Sequence, residues 1–499
     1  MGGGWWAARC AGVAGLGIVN QSLPRSTPEE QGVDPRAVLA TLDAIVANPE
    51  LHSLMVVRHG HVVAEGWAAP FGPDRPHALY SLTKTFTATA VGFAVAEGLL
   101  TLDDRVVDLL AEHAPAARDE RLARMTVRHL LTMSGGHDPE PTVFDTPGDW
   151  IATFLATPLE HEPGERFIYN TPGSYLLSAI VQQVTGRHLL AYLTPRLLEP
   201  LGIVGATTEV SPQGVDMGGV GMSLRTEDVA KLGLLYLQDG MWQGRRVLPE
   251  GWVAQAGAAQ VSTAHWDGVD WQQGYGFQMW RSRHGFRADG AFGQFSLVLP
   301  DEDLVVATTG AFRDTGAVLE AVWTHLLPGL HDEPVPADDE SRTMLVARLA
   351  GLRLDPPAGQ AITATGLRLS RRTVVFDENP LGLVSASLAV GGVADERVVR
   401  WDGGRLTLHP GHEEPVPQAV TNPLQPRQSA ASLVRGTWTG PDRYVLSVRH
   451  VETPHAWTVT VDVDGDRVVV TPQVNVAFAG TDFGPVVGHV QVTTPPETA

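Results

Sequence analysis

The sequence predicts an α+β protein, in which an antiparallel sheet flanked by helices is followed by a separate β-rich domain. Three observations lead to this prediction. Two β-rich runs at residues 54–68 come first, a long stretch of helical patterns follows, and strand-like runs return after residue 276. Strands that come in two groups on either side of helices are typical of antiparallel sheets with helices on their faces. After a segment rich in Pro and acidic residues near residue 335, apolar and polar residues alternate along the rest of the chain.

In the first part of the chain, each element has its own signal. Residues 24–48 indicate a loop and then an amphipathic helix. Residues 54–68 indicate a hairpin with His59 and Gly60 at its turn. Residues 86–99 are apolar on all sides, which predicts a helix buried in the centre of the domain. Further helices are predicted at 127–133, 150–155, 174–184 and 226–237, and further strands at 276–281, 294–299 and 304–309.

The second part of the chain has strand patterns at the usual spacing, separated by turn residues. These runs cover residues 367–376, 381–390, 398–408, 444–450, 457–463 and 467–470, and a Pro- and Gln-rich stretch at 415–428 interrupts them. We therefore expect an N-terminal segment over residues 1–22, a main domain over 23–335 and a β-rich domain over 336–499.

Composition excludes several classes of function. The formal charge is −20 and the acidic residues are spread along the chain, which argues against nucleic acid as a partner. Cys10 is the only cysteine, so an intramolecular disulfide and a Cys-rich zinc site are excluded. No apolar run reaches the length needed to cross a bilayer, and no basic signal sequence precedes residue 20. We expect a cytoplasmic protein without a membrane partner; export and oligomerisation stay open.

Lysine is almost absent from this chain. There are two lysines, Lys84 and Lys231, against 34 arginines. Arginine stays protonated at any biological pH, whereas a buried lysine can lose its proton and act as a base. Lys231 falls in the helical pattern at 226–237, and we interpret it as a surface residue of that helix. Lys84 follows Ser81 by three residues, and that spacing indicates a chemical role.

Ser81 and Lys84 form an S-x-x-K pattern that opens the buried helix. Residues three apart lie on the same face of a helix, so the Lys84 amine can reach the Ser81 hydroxyl. Serine is a poor nucleophile without an adjacent base, and burial lowers the pKa of a lysine so that it can serve as that base. The N–H groups at the start of the helix are suited to stabilise a developing oxyanion. The pattern therefore predicts nucleophilic catalysis.

Two further segments fit this chemistry. Tyr169 lies on a loop just before a helix, where its hydroxyl can relay a proton to a leaving group. The segment 287–294 contains glycines that let a backbone approach a ligand closely and offer N–H groups. His59 and His61 lie in a hairpin turn without a nearby carboxylate, so we expect no metal there. The sequence has no G-x-S-x-G, P-loop or G-x-G-x-x-G motif, and we expect no cofactor.

Together these motifs resemble the serine β-lactamase and penicillin-binding protein superfamily, in particular its class C-like branch of esterases, D-aminopeptidases and 6-aminohexanoate-dimer hydrolases. The resemblance covers about residues 23–330 and includes the segments 130–136, 200–203, 226–230, 274–276 and 293–294. It implies a β-lactamase-like catalytic domain with an all-helical subdomain. It also implies Ser81 as the acylated nucleophile, Lys84 as its base, Tyr169 as second acid/base, and the backbone N–H groups of Ser81 and Ala291 as oxyanion donors.

The chain departs from the family pattern at two places. The second motif is usually Tyr-x-Asn, whereas here Thr171 holds the third position and Asn170 is displaced by one. The third motif usually begins with Lys or His followed by Thr-Gly, whereas here it consists of Ala288, Asp289 and Gly290. Without that cation, an anionic substrate is disfavoured. We expect Asn170, Ala288 and Gly290 to contact substrate, and also His137 and Trp150.

The predicted function is hydrolysis of a small-molecule ester or amide, with a carboxylesterase favoured. The alternatives are an amidase of the 6-aminohexanoate-oligomer type, an acyltransferase, and a β-lactamase or D,D-peptidase. A protein that keeps the fold only to bind is the alternative from outside the enzymes. The β-rich domain is compatible with capping the cleft, with oligomerisation or with stabilising the chain.

Overall fold

The computed structural model describes residues 21–48, 50–116, 119–390, 394–422 and 425–491. The predicted N-terminal segment, including Cys10, lies almost entirely outside the described residues. The chain divides into two compact units, one ending at Arg353 and the other beginning at Leu354. The division falls later than the predicted boundary after residue 335, because helix Asp339–Ala350 packs against a helix and a strand of the first unit.

A six-stranded antiparallel sheet organises the first unit. Strands from both ends of the unit meet in the middle of this sheet. Leu54 of the first strand pairs with Thr308 of the last. The strands of the first unit are β1 Leu51–Arg58, β2 His61–Trp67, β3 His77–Ala78, β4 Ser223–Leu224, β5 Met241–Trp242, β6 Arg245–Arg246, β7 Trp280–Arg281, β8 Phe286–Gly290, β9 Gln294–Leu299 and β10 Leu304–Gly310. The six-stranded sheet has the order β2-β1-β10-β9-β8-β7, whereas β3 pairs with β4 and β5 with β6 in two small separate sheets. The expected antiparallel sheet, and the hairpin turning at His59 and Gly60, are confirmed.

Helices cover this sheet and fill the stretch between its two strand groups. They are α1 Pro35–Ala47, α2 Thr83–Ala96, α3 Val106–Leu109, α4 Val127–Leu131, α5 Trp150–Ala156, α6 Thr171–Thr185, α7 Leu189–Leu193, α8 Thr226–Leu237, α9 Trp252–Gly257, α10 Gly316–Ala321 and α11 Asp339–Ala350. Helix α8 packs on the central strands, and α6 packs against α2 to α5 and α7. As predicted, α2 is buried on nearly all sides.

Lys231 is not the surface residue that the sequence predicted. Its side chain on α8 is fully buried, with Nζ 3.6 Å from Asp228 Oδ1 and 3.5 Å from the carbonyl oxygen of Gly202. Asp228 also accepts from Arg225 at 2.9 Å. A buried ammonium is tolerated when oxygens surround it in this way. The periodicity predicted the helix correctly, but it could not show that this face is covered.

A ten-stranded antiparallel sheet makes up most of the second unit, as the alternating pattern predicted. Helix α12, Ala364–Leu369, precedes the sheet in the chain. The ten strands are β11 Thr373–Phe376, β12 Leu383–Ala389, β13 Glu396–Trp401, β14 Gly404–Leu408, β15 Val416–Asn422, β16 Gln425–Trp438, β17 Arg443–His450, β18 Ala456–Asp464, β19 Arg467–Val474 and β20 Val486–Val490. The strand predicted at 367–376 begins as helix α12. The stretch 415–428, predicted as an interruption, supplies β15 and the start of β16. β15 lies at the edge of the sheet, where a proline such as Pro417 is tolerated.

Within the described ranges, no helix is long and apolar enough to cross a membrane. The same residues contain no group of three or more His, Cys, Asp or Glu side chains that could hold a metal ion.

Candidate active site

The site is built around a tight turn between β3 and α2. Residues Tyr80–Leu82 form a 3₁₀ turn that places Ser81 at the entrance of α2. Tyr80 has a φ of +49°, a conformation that bulky side chains avoid and that is found where function requires it. The Ser81 side chain lies in a partly exposed position. The turn therefore presents the hydroxyl to the cleft while α2 continues into the core.

Lys84 lies one helical turn further on, with its amine directed back at Ser81. Its Nζ is 3.0 Å from Ser81 Oγ, 2.7 Å from the carbonyl oxygen of Gly219 and 3.3 Å from Thr171 Oγ1. The side chain is only 1% exposed. This burial lowers the pKa of Lys84 to about 7, against the opposing effect of the negative charges of Glu140 and Asp289. The amine is thus deprotonated in a large fraction of molecules near neutral pH.

Tyr169 completes a triangle with these two side chains. Its hydroxyl is hydrogen-bonded to Ser81, and the Lys84 Nζ lies 4.9 Å from the centre of its ring. Burial raises the pKa of Tyr169 above its ordinary value, so the phenol stays protonated. The ring stacks on Trp280 at 6.0 Å between centroids. The structure brings together the three residues that the sequence predicted as catalytic.

The segment after β8 approaches the Ser81 turn closely. A Cβ atom on Gly290 would lie 2.1 Å from the carbonyl oxygen of Leu79 and 3.1 Å from the backbone nitrogen of Leu82, so only glycine fits. Ala291 follows directly and is partly exposed. Next along the chain, Phe292 has a φ of +65° and meets Tyr80 edge to face at 5.5 Å. The role of the Ala291 backbone N–H as an oxyanion donor stays a prediction.

The other residues predicted to contact substrate have varied surroundings. Asn170 caps helix α6, because its Oδ1 accepts from the backbone N–H of Gly173 at 2.8 Å. Thr171, not Asn170, provides the side-chain oxygen next to Lys84. Ala288 is buried in β8 at 1% exposure. The substrate contacts of Asn170 and Ala288 stay predictions, and Gly290 has the close approach described above.

His137 and Trp150 are packing residues in this structure. His137 is 1% exposed, its ring meets Phe154 at 4.5 Å, and burial lowers its pKa to about 4. Trp150 is 2% exposed and donates its indole N–H to the carbonyl oxygen of Thr146 at 3.2 Å. A role in substrate binding stays a prediction for both, and their burial does not favour it.

Four contributors to the site were missed or not given a role by the sequence. Gly219 and Thr171 hold the Lys84 amine. Glu140 accepts from the backbone N–H of Thr171 at 2.7 Å. Asp289 pairs with Arg287 at 2.9 Å and accepts from the Trp271 indole at 3.2 Å; burial raises its pKa. The sequence could have indicated a role for Thr171, because Thr171 stands where the second motif usually has Asn. Gly219 and Glu140 lie in segments without a recognisable motif, so nothing in the sequence pointed to them.

The amino-acid sequence is similar to those of known proteins. The family model described as Beta-lactamase matches residues 52–309. The 6-aminohexanoate-dimer hydrolase of Paenarthrobacter ureafaciens is 26% identical over 269 residues, which cover 50% of this chain and 68% of that protein. A β-lactamase of Pseudomonas fluorescens is 24% identical over 223 residues, 40% of this chain and 59% of that protein.

The matches to several other relatives cover from about a third to about three fifths of those proteins' own length. Among solved structures, a candidate β-lactamase from Bacteroides dorei superposes with a TM-score of 0.51 at 18% identity. The match covers 59% of this chain and 99% of that one. At this identity the superposition shows a shared fold, and the predicted fold class is confirmed.

Proposed function

The chain belongs to the β-lactamase family, and from that premise we propose that it is a carboxylesterase that works through an acyl-enzyme on Ser81. The observation that carries the proposal is the 3.0 Å contact between Ser81 Oγ and the buried amine of Lys84. A nucleophile within hydrogen-bond reach of a base is the arrangement that acyl transfer requires. Because the pKa of Lys84 is about 7, the amine can accept the serine proton near neutral pH.

The reaction proceeds in two halves. In the first, Lys84 takes the Ser81 proton while Oγ attacks the ester carbonyl, and the backbone N–H groups of Ser81 and Ala291 stabilise the oxyanion. Tyr169 gives its proton to the departing alkoxide. The Lys84 ammonium, which holds the former Ser81 proton, then reprotonates Tyr169 and becomes the free amine again. In the second half, water attacks the acyl-enzyme and Lys84 accepts a proton from that water. Lys84 passes this proton to Ser81 Oγ as the bond between the acyl carbon and Oγ breaks, and the carboxylic acid leaves.

One feature of the site favours an ester over a β-lactam or a peptide. Ala288 stands where the family's third motif usually places the cation that holds a substrate carboxylate. A neutral substrate loses nothing from that replacement, whereas an anionic one loses its counter-charge. Amide hydrolysis is the second candidate, supported by the name of the 26% identical relative, a 6-aminohexanoate-dimer hydrolase. An acyltransferase would use the same acyl-enzyme and differ only in the molecule that accepts the acyl group. A protein that only binds its ligand would have no need of a lysine whose pKa is lowered to about 7.

A stopped-flow assay with p-nitrophenyl acetate and butyrate tests the proposal. We expect a stoichiometric burst of p-nitrophenol followed by steady turnover, and loss of both in Ser81→Ala. Lys84→Arg is expected to lose nearly as much, because arginine keeps its proton. Undiminished turnover in Ser81→Ala would refute the assignment of the nucleophile.

A further inference from the structure

We infer that the cleft selects esters whose alcohol portion carries a positive charge, and that Glu140 is the residue that determines this specificity. The inference rests on the proposed function and adds the substrate class. It starts from the charges around Ser81. Above its pKa of about 7 the Lys84 amine is neutral, and position 288 supplies no cation because it is alanine.

Glu140 is held firmly next to the catalytic groups. Its Oε2 accepts from the backbone N–H of Thr171 at 2.7 Å, and Thr171 Oγ1 lies 3.3 Å from Lys84 Nζ. The Glu140 side chain is exposed, so its charge is available to a ligand in the cleft. Its field reaches both Lys84 and Tyr169, because its negative charge opposes the lowering of one pKa and adds to the raising of the other.

No cation among the described residues neutralises Glu140 through an ion pair. The guanidinium of the neighbouring loop, Arg166, lies 3.7 Å from Asp138 instead. The second carboxylate of the cleft, Asp289, differs in this respect. Arg287 pairs with it at 2.9 Å, so that pair contributes little net charge. Glu140 is therefore the group that gives the cleft its negative character.

Aromatic rings add a surface that suits an ammonium group. The Tyr169 ring already contacts Trp280 and the Lys84 amine, so the aromatic surface for a ligand is the ring of Trp266, 6.2 Å from that of Tyr169. Both Tyr169 and Trp266 are partly exposed. Ring faces attract cations, and quaternary ammonium ligands are commonly recognised by aromatic side chains combined with negative charge.

The position of Glu140 determines which part of the ester it affects. Tyr169 is the proposed acid for the leaving group, and Glu140 binds the chain two residues after it, at Thr171. A charge on the alcohol portion therefore lies nearer to Glu140 than one on the acyl portion. A single charge pair at the edge of a protein site changes the rate by about tenfold.

Three acetate esters that differ in the charge of the alcohol portion test this inference. Acetylcholine carries a permanent cation, its carbon isostere has a tert-butyl group in place of the trimethylammonium, and acetylglycolate is an anion. The kcat/KM values are measured in a pH-stat above the pKa of Lys84. We expect the order cation, neutral, anion, with about tenfold preference for acetylcholine over its isostere that shrinks as salt is added.

Glu140→Gln keeps an oxygen that can accept from Thr171 and removes only the charge. The readout is the ratio of kcat/KM for acetylcholine to kcat/KM for the neutral isostere, because the charge of Glu140 also acts on the pKa values of Lys84 and Tyr169 and its loss changes the rates with all three esters. We expect Glu140→Gln to abolish the preference for acetylcholine that this ratio expresses. The matched control is Asp301→Asn, which removes an equal charge from an exposed position at the opposite end of β9 from Gln294. It should leave the preference intact.

The outcomes separate the two proposals. Turnover of the neutral ester with no preference for the cation, or a preference that survives Glu140→Gln, overturns this inference and leaves the proposed esterase function standing. Absence of turnover with all three esters in the wild type overturns the proposed esterase function itself. A preference lost equally in Asp301→Asn would show an effect of overall charge and would also overturn the role of Glu140.

Discussion

Lys84 Nζ lies 2.7 Å from the carbonyl oxygen of Gly219, a residue 135 positions further along the chain. A neutral amine has two N–H groups and one lone pair. Gly219 O and Thr171 Oγ1 can accept the two N–H groups, which leaves the lone pair for the Ser81 hydroxyl at 3.0 Å. The two acceptors, Gly219 O and Thr171 Oγ1, match the two N–H groups of the neutral amine, which is the form that acts as a base.

The first prediction concerns Gly219→Ala. A Cβ there would lie 2.7 Å from the carbonyl oxygen of Thr171 and 2.8 Å from its Cγ2, so both residues that hold the amine must move. We expect kcat/KM for p-nitrophenyl butyrate to fall by about tenfold to a hundredfold, because small misplacements of catalytic groups are costly. Gly72→Ala is the control, since a Cβ at Gly72 meets nothing within 4 Å. Equal activity in the two variants would contradict the role of Gly219.

The pH profile of kcat/KM provides the second prediction. Activity needs the unprotonated amine of Lys84, whose pKa is about 7, so kcat/KM should rise with pH and reach half its maximum near pH 7. The plateau should extend to alkaline pH because the pKa of Tyr169 is raised above its ordinary value of 10.0. A profile that is flat across neutral pH would contradict Lys84 as the base.

The third prediction is a trade-off between stability and activity at Lys84. Its pKa is 10.5 ordinarily and about 7 in the folded state, so the unfolded chain binds more protons between these values and stability rises with pH across that window. Below pH 7 Lys84 is protonated in the folded protein as well, so the full cost of burying its charge then lowers the free energy of unfolding. Lys84→Met removes it, and we expect the free energy of unfolding at acidic pH to increase by a few kcal/mol, with the gain vanishing near the ordinary pKa.

Urea unfolding of wild type and Lys84→Met on either side of the window measures this difference. Lys84→Met should be inactive throughout. Lys231→Met, at the other buried lysine of the chain, should keep its esterase activity because Lys231 contacts Asp228 and Gly202 rather than the site. A Lys84→Met protein that is less stable than wild type at acidic pH would show that the amine is not held at an energetic cost.

The fourth prediction concerns Gly290→Ala. The added Cβ would lie 2.1 Å from the carbonyl oxygen of Leu79 and push β8 away from the Ser81 turn. If the N–H of Ala291 binds the oxyanion, kcat should fall by about a hundredfold or more with less change in KM. Steady-state kinetics on p-nitrophenyl butyrate, with circular dichroism to verify folding, separates this from unfolding. A folded variant with normal kcat would remove Ala291 from the mechanism.

Local patterns predicted much of this molecule. The boundaries of α8 and β9 follow directly from periodicity, and Ser81, Lys84 and Tyr169 lie together as the motifs indicated. The errors have a common cause, which is that burial and long-range contacts are not visible along the chain. Lys231 has a helical spacing that fits either a surface or a buried residue. Gly219 reaches Lys84 through its backbone, and a backbone contact leaves no side-chain signal in the sequence.

The most direct test of the central claim is intact-protein mass spectrometry of the enzyme quenched in acid shortly after mixing with p-nitrophenyl butyrate. We predict a species heavier by one butyryl group, mapped by peptide analysis to Ser81, that is absent from Ser81→Ala and decays as substrate is exhausted. A butyryl group on another residue, or turnover without any covalent species in wild type and with undiminished rate in Ser81→Ala, would contradict the acyl-enzyme mechanism.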